Sequence, residues 1–268
     1  MVEKHAVFDG SIPEYYDRHL GPMFFEPYAQ DLAGRVQVPA GGTVLEVACG
    51  TGRVTRLLRE RLPESIRLTA TDLNDAMLDY ARRQFPEGPG ITWRQADAAA
   101  LPFPDGSFDA VVCQFGYMFV PDKETAMREA RRVLRSGGSL LFNVWDRIEE
   151  NQIARTAHET IASFFPEDPP QFYSVPFGFH DTDRIRSMLE SAGFRDVRIE
   201  SISYETRSPS ARDASLGLIR GNPVATDIRD RATVPIETVI DAVERNIRER
   251  FGDPPRARKR AHVIEARA

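Results

Sequence analysis

The stretch Thr43-Val44-Leu45-Glu46-Val47-Ala48-Cys49-Gly50-Thr51-Gly52-Arg53-Val54 constrains the fold more than any other part of the chain. Val44, Leu45 and Val47 form a short apolar run of the kind that a buried parallel strand shows. A turn of small residues follows, and then Val54, Leu57, Leu58 and Leu62 recur at helical spacing on one face. The plain reading is a tight strand-to-helix connection. In a doubly wound sheet, that connection also receives a nucleotide-like ligand. Glycines let the ligand approach the backbone, and free N–H groups at the helix start attract negative charge.

The next unit narrows the choice. Ile66, Leu68 and Ala70 lead into Thr71-Asp72, so a second strand ends on a carboxylate 20 positions after Gly52. At that spacing an acidic residue meets ribose hydroxyls. Position 55 is Thr rather than a third glycine, and Glu46 puts a carboxylate in the first strand. A pyrophosphate on this turn would meet that negative charge, whereas a cationic ligand would be favoured by it. Ile91 to Ala96 reads as a third strand with Asp97-Ala98 at its carboxyl end, where open α/β sheets hold ligands. Taken alone, Asp97 is equally a turn or helix cap. Phe108 to Phe115 reads as the fourth strand, and Cys113 to Met118 should border the ligand.

These residues together resemble the class I S-adenosylmethionine-dependent methyltransferases, in particular the small-molecule (type 11) group that includes ubiquinone/menaquinone-biosynthesis enzymes. Glu46-x-x-x-Gly50-x-Gly52, Asp72 and Asp97-Ala98 carry the resemblance. Leu101-Pro102-Phe103-Pro104-Asp105-Gly106-Ser107-Phe108-Asp109 and Arg132-Val133-Leu134-Arg135-Ser136-Gly137-Gly138 extend it over about positions 40 to 146. The resemblance implies S-adenosyl-L-methionine as cofactor on a Rossmann-like, seven-stranded, mostly parallel sheet with an antiparallel last strand. It also implies roles. Glu46 orients the methionyl ammonium through the turn. Gly50 and Gly52, with Ala48 (where the family has glycine) and Thr51, admit the cofactor. Asp72 binds the ribose, Leu73 and Met77 flank the adenine, and Asp97 and Ala98 read it. Gln114 belongs at the methionyl end, and Tyr16 of the preceding arm reaches the cofactor.

The activated methyl needs in-line placement of a nucleophile more than acid–base chemistry. A base is required only where the acceptor must lose a proton, as a phenol does. His180 is the one candidate; its plainer reading is a cap for the helix beginning near Asp181-Thr182. The Asn/Asp-Pro-Pro-aromatic signature of base- and glutamine-directed amino-methyltransferases is missing after the fourth strand. Asp168-Pro169-Pro170-Gln171 stands after the fifth and reads as a loop. Two alternatives remain: an NAD(P)-dependent oxidoreductase, and a non-catalytic protein that keeps the cofactor pocket.

Composition limits the partners. A net charge of −5 gives no basic face for nucleic acid. Two cysteines, Cys49 and Cys113, suit a reducing, cytoplasmic setting and no metal site. No apolar run approaches the ~18 residues of a membrane span. Glu3 and Asp9 stand where an export signal would be apolar. A small-molecule methyl acceptor is the expected partner, with a homodimer as a further possibility.

Outside the core, residues 1–40 read as a helical arm or lid, broken at Gly21-Pro22 and rich in aromatics. A helix carrying Met77, Leu78 and Ala81 stops at Pro86. Asp122 to Arg135 reads as a helix ended by Gly137-Gly138, and Ser139 to Trp145 as strand five. The loop Phe172 to His180 is dense in rings and suits an apolar substrate wall. Strand six runs from Phe194 to about Ser203. The core is then 41–205 with 254–268, and 206–253 is a helical cap or dimerisation insertion with two helices. Arg256 to Arg260 reads as a solvent-facing basic run before a last strand over Ala261 to Ala266.

Overall fold

A computed structural model describes residues 6–8, 10–85 and 90–268; Glu3, Asp9 and the helix stop at Pro86 lie outside the described residues. Seven strands share one sheet: β1 Thr43–Val47, β2 Arg67–Asp72, β3 Ile91–Gln95, β4 Phe108–Gln114, β5 Leu134–Trp145, β6 Arg195–Arg207 and β7 Arg256–Arg267. Their order is β3-β2-β1-β4-β5-β7-β6. The first five are parallel, and β7 runs antiparallel between β5 and β6. This is the expected sheet. The order reverses between β1 and β4, so a crevice opens beyond their carboxyl ends.

The helices follow in chain order: α1 Ile12–Tyr15, α2 Glu26–Arg35, α3 Arg53–Arg61, α4 Asp75–Gln84, α5 Lys123–Val133, α6 Gln152–Ser163, α7 Thr182–Ser191, α8 Ala211–Arg220, α9 Val224–Arg231 and α10 Ile236–Phe251. Alternation along the strands assigns them to layers. Val44, Ala110, Val112, Leu141 and Val263 face α2 and α3. Leu45, Val111, Leu140, Phe142 and Ile264 face the layer holding α5, α6 and α7. Every residue of β1 is buried, as a strand covered on both faces requires.

Several boundaries differ from those read in the sequence. The arm is not broken at Gly21-Pro22. A π-helix, Tyr16–Phe25, carries the chain from α1 into α2 with Pro22 inside it, and the Glu26 N–H bonds to the Gly21 carbonyl. The wider turn makes room for the ring that an α-helix would exclude. Gly21 is needed for another reason: an added Cβ would lie 1.9 Å from an Arg53 guanidinium nitrogen. α5 ends at Val133, and Gly137-Gly138 lie in β5, where the pairing with β4 shifts register between Phe108 and Ala110. The region 206–253 holds three helices, not two. Gly221-Asn222-Pro223 closes α8 but also opens α9, with Pro223 as its N-cap. β6 and β7 are longer than predicted because they pair with each other from Arg195↔Arg267 to Arg207↔Arg256.

One further correction concerns the basic run. Lys259 does not face solvent; it is 1% exposed, and its Nζ donates to the Met23 carbonyl at 2.5 Å. The arm is seated at the same place by Tyr28. Its buried hydroxyl donates to the Ile202 carbonyl at 2.9 Å, and its ring packs against Tyr204 and Trp145. Tyr28→Phe is therefore expected to lower stability by about 1 kcal/mol in urea denaturation; no loss would mean that this hydroxyl does not help to hold the arm.

Candidate functional site

The turn after β1 is built by backbone conformation. Ala48, Gly50 and Gly52 have φ of 53°, 56° and 83°. For alanine this left-handed geometry is a strain, and it occurs here on the family's glycine position. Two bonds tie the turn to the end of β2. The Cys49 N–H donates to the Thr71 carbonyl, and the Gly50 N–H donates to Asp72 Oδ2, each at 2.8 Å. Asp72 Oδ1 accepts the Asn74 N–H at 2.8 Å. Burial lifts the Asp72 pKa, and these N–H groups oppose the rise.

A cavity of about 260 Å³ opens beyond these strand ends. Of the sequence-predicted residues, Tyr16, Ala48, Gly50, Asp72, Leu73, Met77, Asp97, Ala98 and Gln114 line it. Asp97 also accepts the Ala99 N–H at 2.8 Å, so its turn role and its cavity position coexist. The Gln114 amide donates to the arm's Phe25 carbonyl at 3.2 Å. Among the described residues the lining carries two carboxylates, Asp72 and Asp97, and no Lys, Arg or His. That donor set suits a ribose and a positive charge, and it offers nothing to a pyrophosphate.

Three predicted residues stand behind the cavity wall. Thr51 turns its hydroxyl to Asp17 of the arm at 3.0 Å. Gly52 packs so tightly on α4 that a Cβ would meet the Phe85 ring at 2.8 Å. Glu46 lies under the turn at 1% exposure, accepting the Thr55 hydroxyl at 2.5 Å. Burial raises its pKa to about 8. It does not line the cavity, so the carboxylates that face a ligand there are Asp72 and Asp97. His180 is not in the cavity. Its Nδ1 lies 2.8 Å from the Phe177 carbonyl, and the cap of α7 is the Asp181 carboxylate.

An aromatic chamber adjoins the cavity; Phe8, Tyr16, Phe115 and Phe119 line both. Phe24, Phe25, Trp145, Phe172 and Phe177 complete most of its wall. Phe115 stacks on Trp145 with ring centroids 3.9 Å apart, and its φ is 51°. The dense loop at 172–180 thus supplies wall residues, without its histidine. The sequence placed Phe115 at the ligand's border, but nothing in it marks a phenylalanine for a left-handed backbone. The sequence reading missed Asn74, which stands at the N-cap position of α4 without a side-chain cap bond and whose Oδ1 instead accepts the Phe8 N–H at 3.2 Å; an Asn just ahead of a helical pattern was its signal.

The fold and this carboxylate-edged crevice define a nucleoside-binding Rossmann-like enzyme. Comparison with known proteins makes the class specific. The methyltransferase domain family matches residues 45–142. The ubiquinone/menaquinone biosynthesis C-methyltransferase of Hahella chejuensis is 35% identical over 170 residues, covering 58% of this chain and 68% of that protein. Among solved structures, a methyltransferase of Bacillus halodurans, described there as not yet characterised, matches with TM-score 0.57 at 22% identity, over 89% of this chain and 97% of that one. A Haemonchus contortus phosphoethanolamine N-methyltransferase bound to S-adenosylhomocysteine matches with TM-score 0.62 at 15% identity, over 95% and 56%. The chain belongs to the class I S-adenosylmethionine-dependent methyltransferases. Its activity is methyl transfer from S-adenosyl-L-methionine, and an oxidoreductase reading is not favoured.

The buried Glu46 gives a pH signature. Its pKa is raised on folding, so its contribution is fully present below the unfolded value near 4.5 and is lost as pH rises through about 8. Glu46→Gln should therefore gain thermal stability relative to the natural chain between pH 6 and 9, with little difference at pH 5. Parallel melting curves across that range would refute the burial argument.

Proposed function

We propose that the cavity seats S-adenosyl-L-methionine and that the aromatic chamber takes a small, apolar, uncharged acceptor. When bound, the cofactor supplies a methyl group already activated by its sulfonium. Asp72 accepts the ribose hydroxyls, and Asp97 and the Ala98 N–H read the adenine against Leu73 and Met77. The Gly50 turn admits the methionyl end near Gln114, with Glu46 bracing the turn from beneath and Tyr16 closing over it. The observation that carries this reading is the cavity's charge: two carboxylates face a cationic nucleoside, with no cation among the described lining residues.

The chamber constrains the chemistry. Apart from the phenols of Tyr16 and Tyr173, its described lining residues have no ionisable side chain. The Tyr173 hydroxyl is committed to the Leu218 carbonyl at 2.9 Å, and burial holds both phenols above their ordinary pKa. Nothing there takes a proton readily. The acceptor atom is then one that attacks through an electron pair it already holds, such as an electron-rich ring carbon, whose ring proton leaves to water after the methyl has transferred. Catalysis rests on placement, with Phe115 and Trp145 fixing the acceptor beside the cavity.

We assign residues 1–40 as a lid and 206–253 as a cap over this chamber. The close contact of α8 with the arm supports that assignment: a Cβ on Gly217 would meet His19 Cβ at 2.9 Å. A cytoplasmic location is in keeping with the two buried free cysteines.

Calorimetric titration tests the cofactor: S-adenosyl-L-methionine should bind and NADH should not. Asp72→Ala should weaken that binding by about 1–3 kcal/mol, the cost of leaving ribose hydroxyls unpaired; unchanged affinity would remove Asp72 from the site. Incubation with phenols, hydroquinones and amines tests the acceptor through release of S-adenosylhomocysteine. Turnover restricted to charged amines would overturn the chamber's role.

A further inference from the structure

Two prolines leave gaps in the arm's backbone bonding, and both gaps are filled from outside the arm. Pro22 has no N–H to return to the Asp17 carbonyl at π-helical spacing; Arg53 Nη2 donates there at 3.1 Å. Pro27 has none to return to the Met23 carbonyl at α-helical spacing; Lys259 Nζ donates there. The two cations are not equivalent. Arg53 also pairs with Asp17 and Glu26 carboxylates. Lys259 pairs with no carboxylate among the described residues, and its ammonium lies 5.9 Å from the ring centres of both Phe24 and Tyr28.

We propose that Lys259 is a positioning residue for the acceptor chamber: through the Met23 carbonyl it holds the arm's aromatic wall over Trp145. The residues following Met23 form that wall. Phe24 and Phe25 line the chamber and lie 5.7 and 6.0 Å from the Trp145 ring, and Tyr28 meets it edge-on at 5.5 Å. A lone buried amine is a poor way to gain stability, because an apolar side chain of similar shape escapes its desolvation. Burial without a counter-charge pulls its pKa down to about 7. The bond does not depend on that proton, since the neutral amine still has N–H groups to donate. The titratable groups facing it are the Tyr28 and Tyr204 phenols, both held protonated above their usual range by burial. What the amine supplies is a donor at a carbonyl that Pro27 cannot reach.

The inference rests on the chamber being the acceptor site, but its test needs no acceptor. In a Trp93→Phe background Trp145 is the sole tryptophan, and acrylamide quenching reports how well the arm covers it. Lys259→Met, which keeps length and loses the donor, should raise the quenching constant at least threefold while the melting temperature stays level or rises. Lys259→Gln, which keeps an N–H donor, should stay within 1.5-fold of the parent. Equal protection in Lys259→Met overturns the proposal. So does equal exposure in both variants, which would make the role one of packing. A Lys259→Met chain that cannot fold overturns it as well, because the amine would then be supplying stability. Failure of S-adenosyl-L-methionine binding would count against the cofactor reading and leave this measurement standing.

Discussion

The bond from the Gly50 N–H to the Asp72 carboxylate governs the rest of the site. It joins the turn after β1 to the end of β2, two strands already in register from Thr43↔Arg67 to Val47↔Thr71. A buried carboxylate is tolerated there because backbone donors surround it. Once it is fixed, the positive φ at Ala48 follows. So does the close seating of Gly116, whose added Cβ would come within 2.4 Å of the Ala48 methyl. The cavity is therefore shaped mainly by main chain.

The second level of organisation is the arm. Asp17 gathers the Thr51 hydroxyl, the Arg53 guanidinium and the Tyr80 hydroxyl at 3.0, 2.8 and 3.3 Å. Arg53 is the first residue of α3, directly after the glycine turn. The arm and the turn thus share one polar cluster, while the arm's rings face the aromatic chamber.

Much of this was legible in the sequence, and the reasons differ by element. The strand–turn–helix at 43–62 and the carboxylates at 72 and 97 were readable because strand ends and glycine turns depend on local chemistry and spacing. Glu46 was read as a charge at the turn, whereas it lies beneath the turn and off the cavity wall; depth below the surface is a tertiary property that no spacing encodes. Lys259 was read with its three basic neighbours, Arg256, Arg258 and Arg260, as a solvated run, since the arm that covers it lies 236 positions away. The arm's continuity through Pro22 was missed because a proline ordinarily ends an α-helix, and only the neighbouring Arg53 makes the wider turn workable. His180 showed the opposite error: a chemically apt residue in a suitable loop that the backbone turns aside.

The place of β7 in the sheet carries a consequence for how the molecule assembles. β6 precedes β7 in the chain, yet it touches the rest of the sheet only through β7. Until the polypeptide has run on through Arg267, β6 has no edge to join and Met23 has no amine to meet. The nucleoside cradle can form from local β-α-β units, whereas the chamber wall must wait for a contact between distant ends of the chain. The strand ends beside the cavity thus depend on nearby sequence, and the chamber on both ends of the chain.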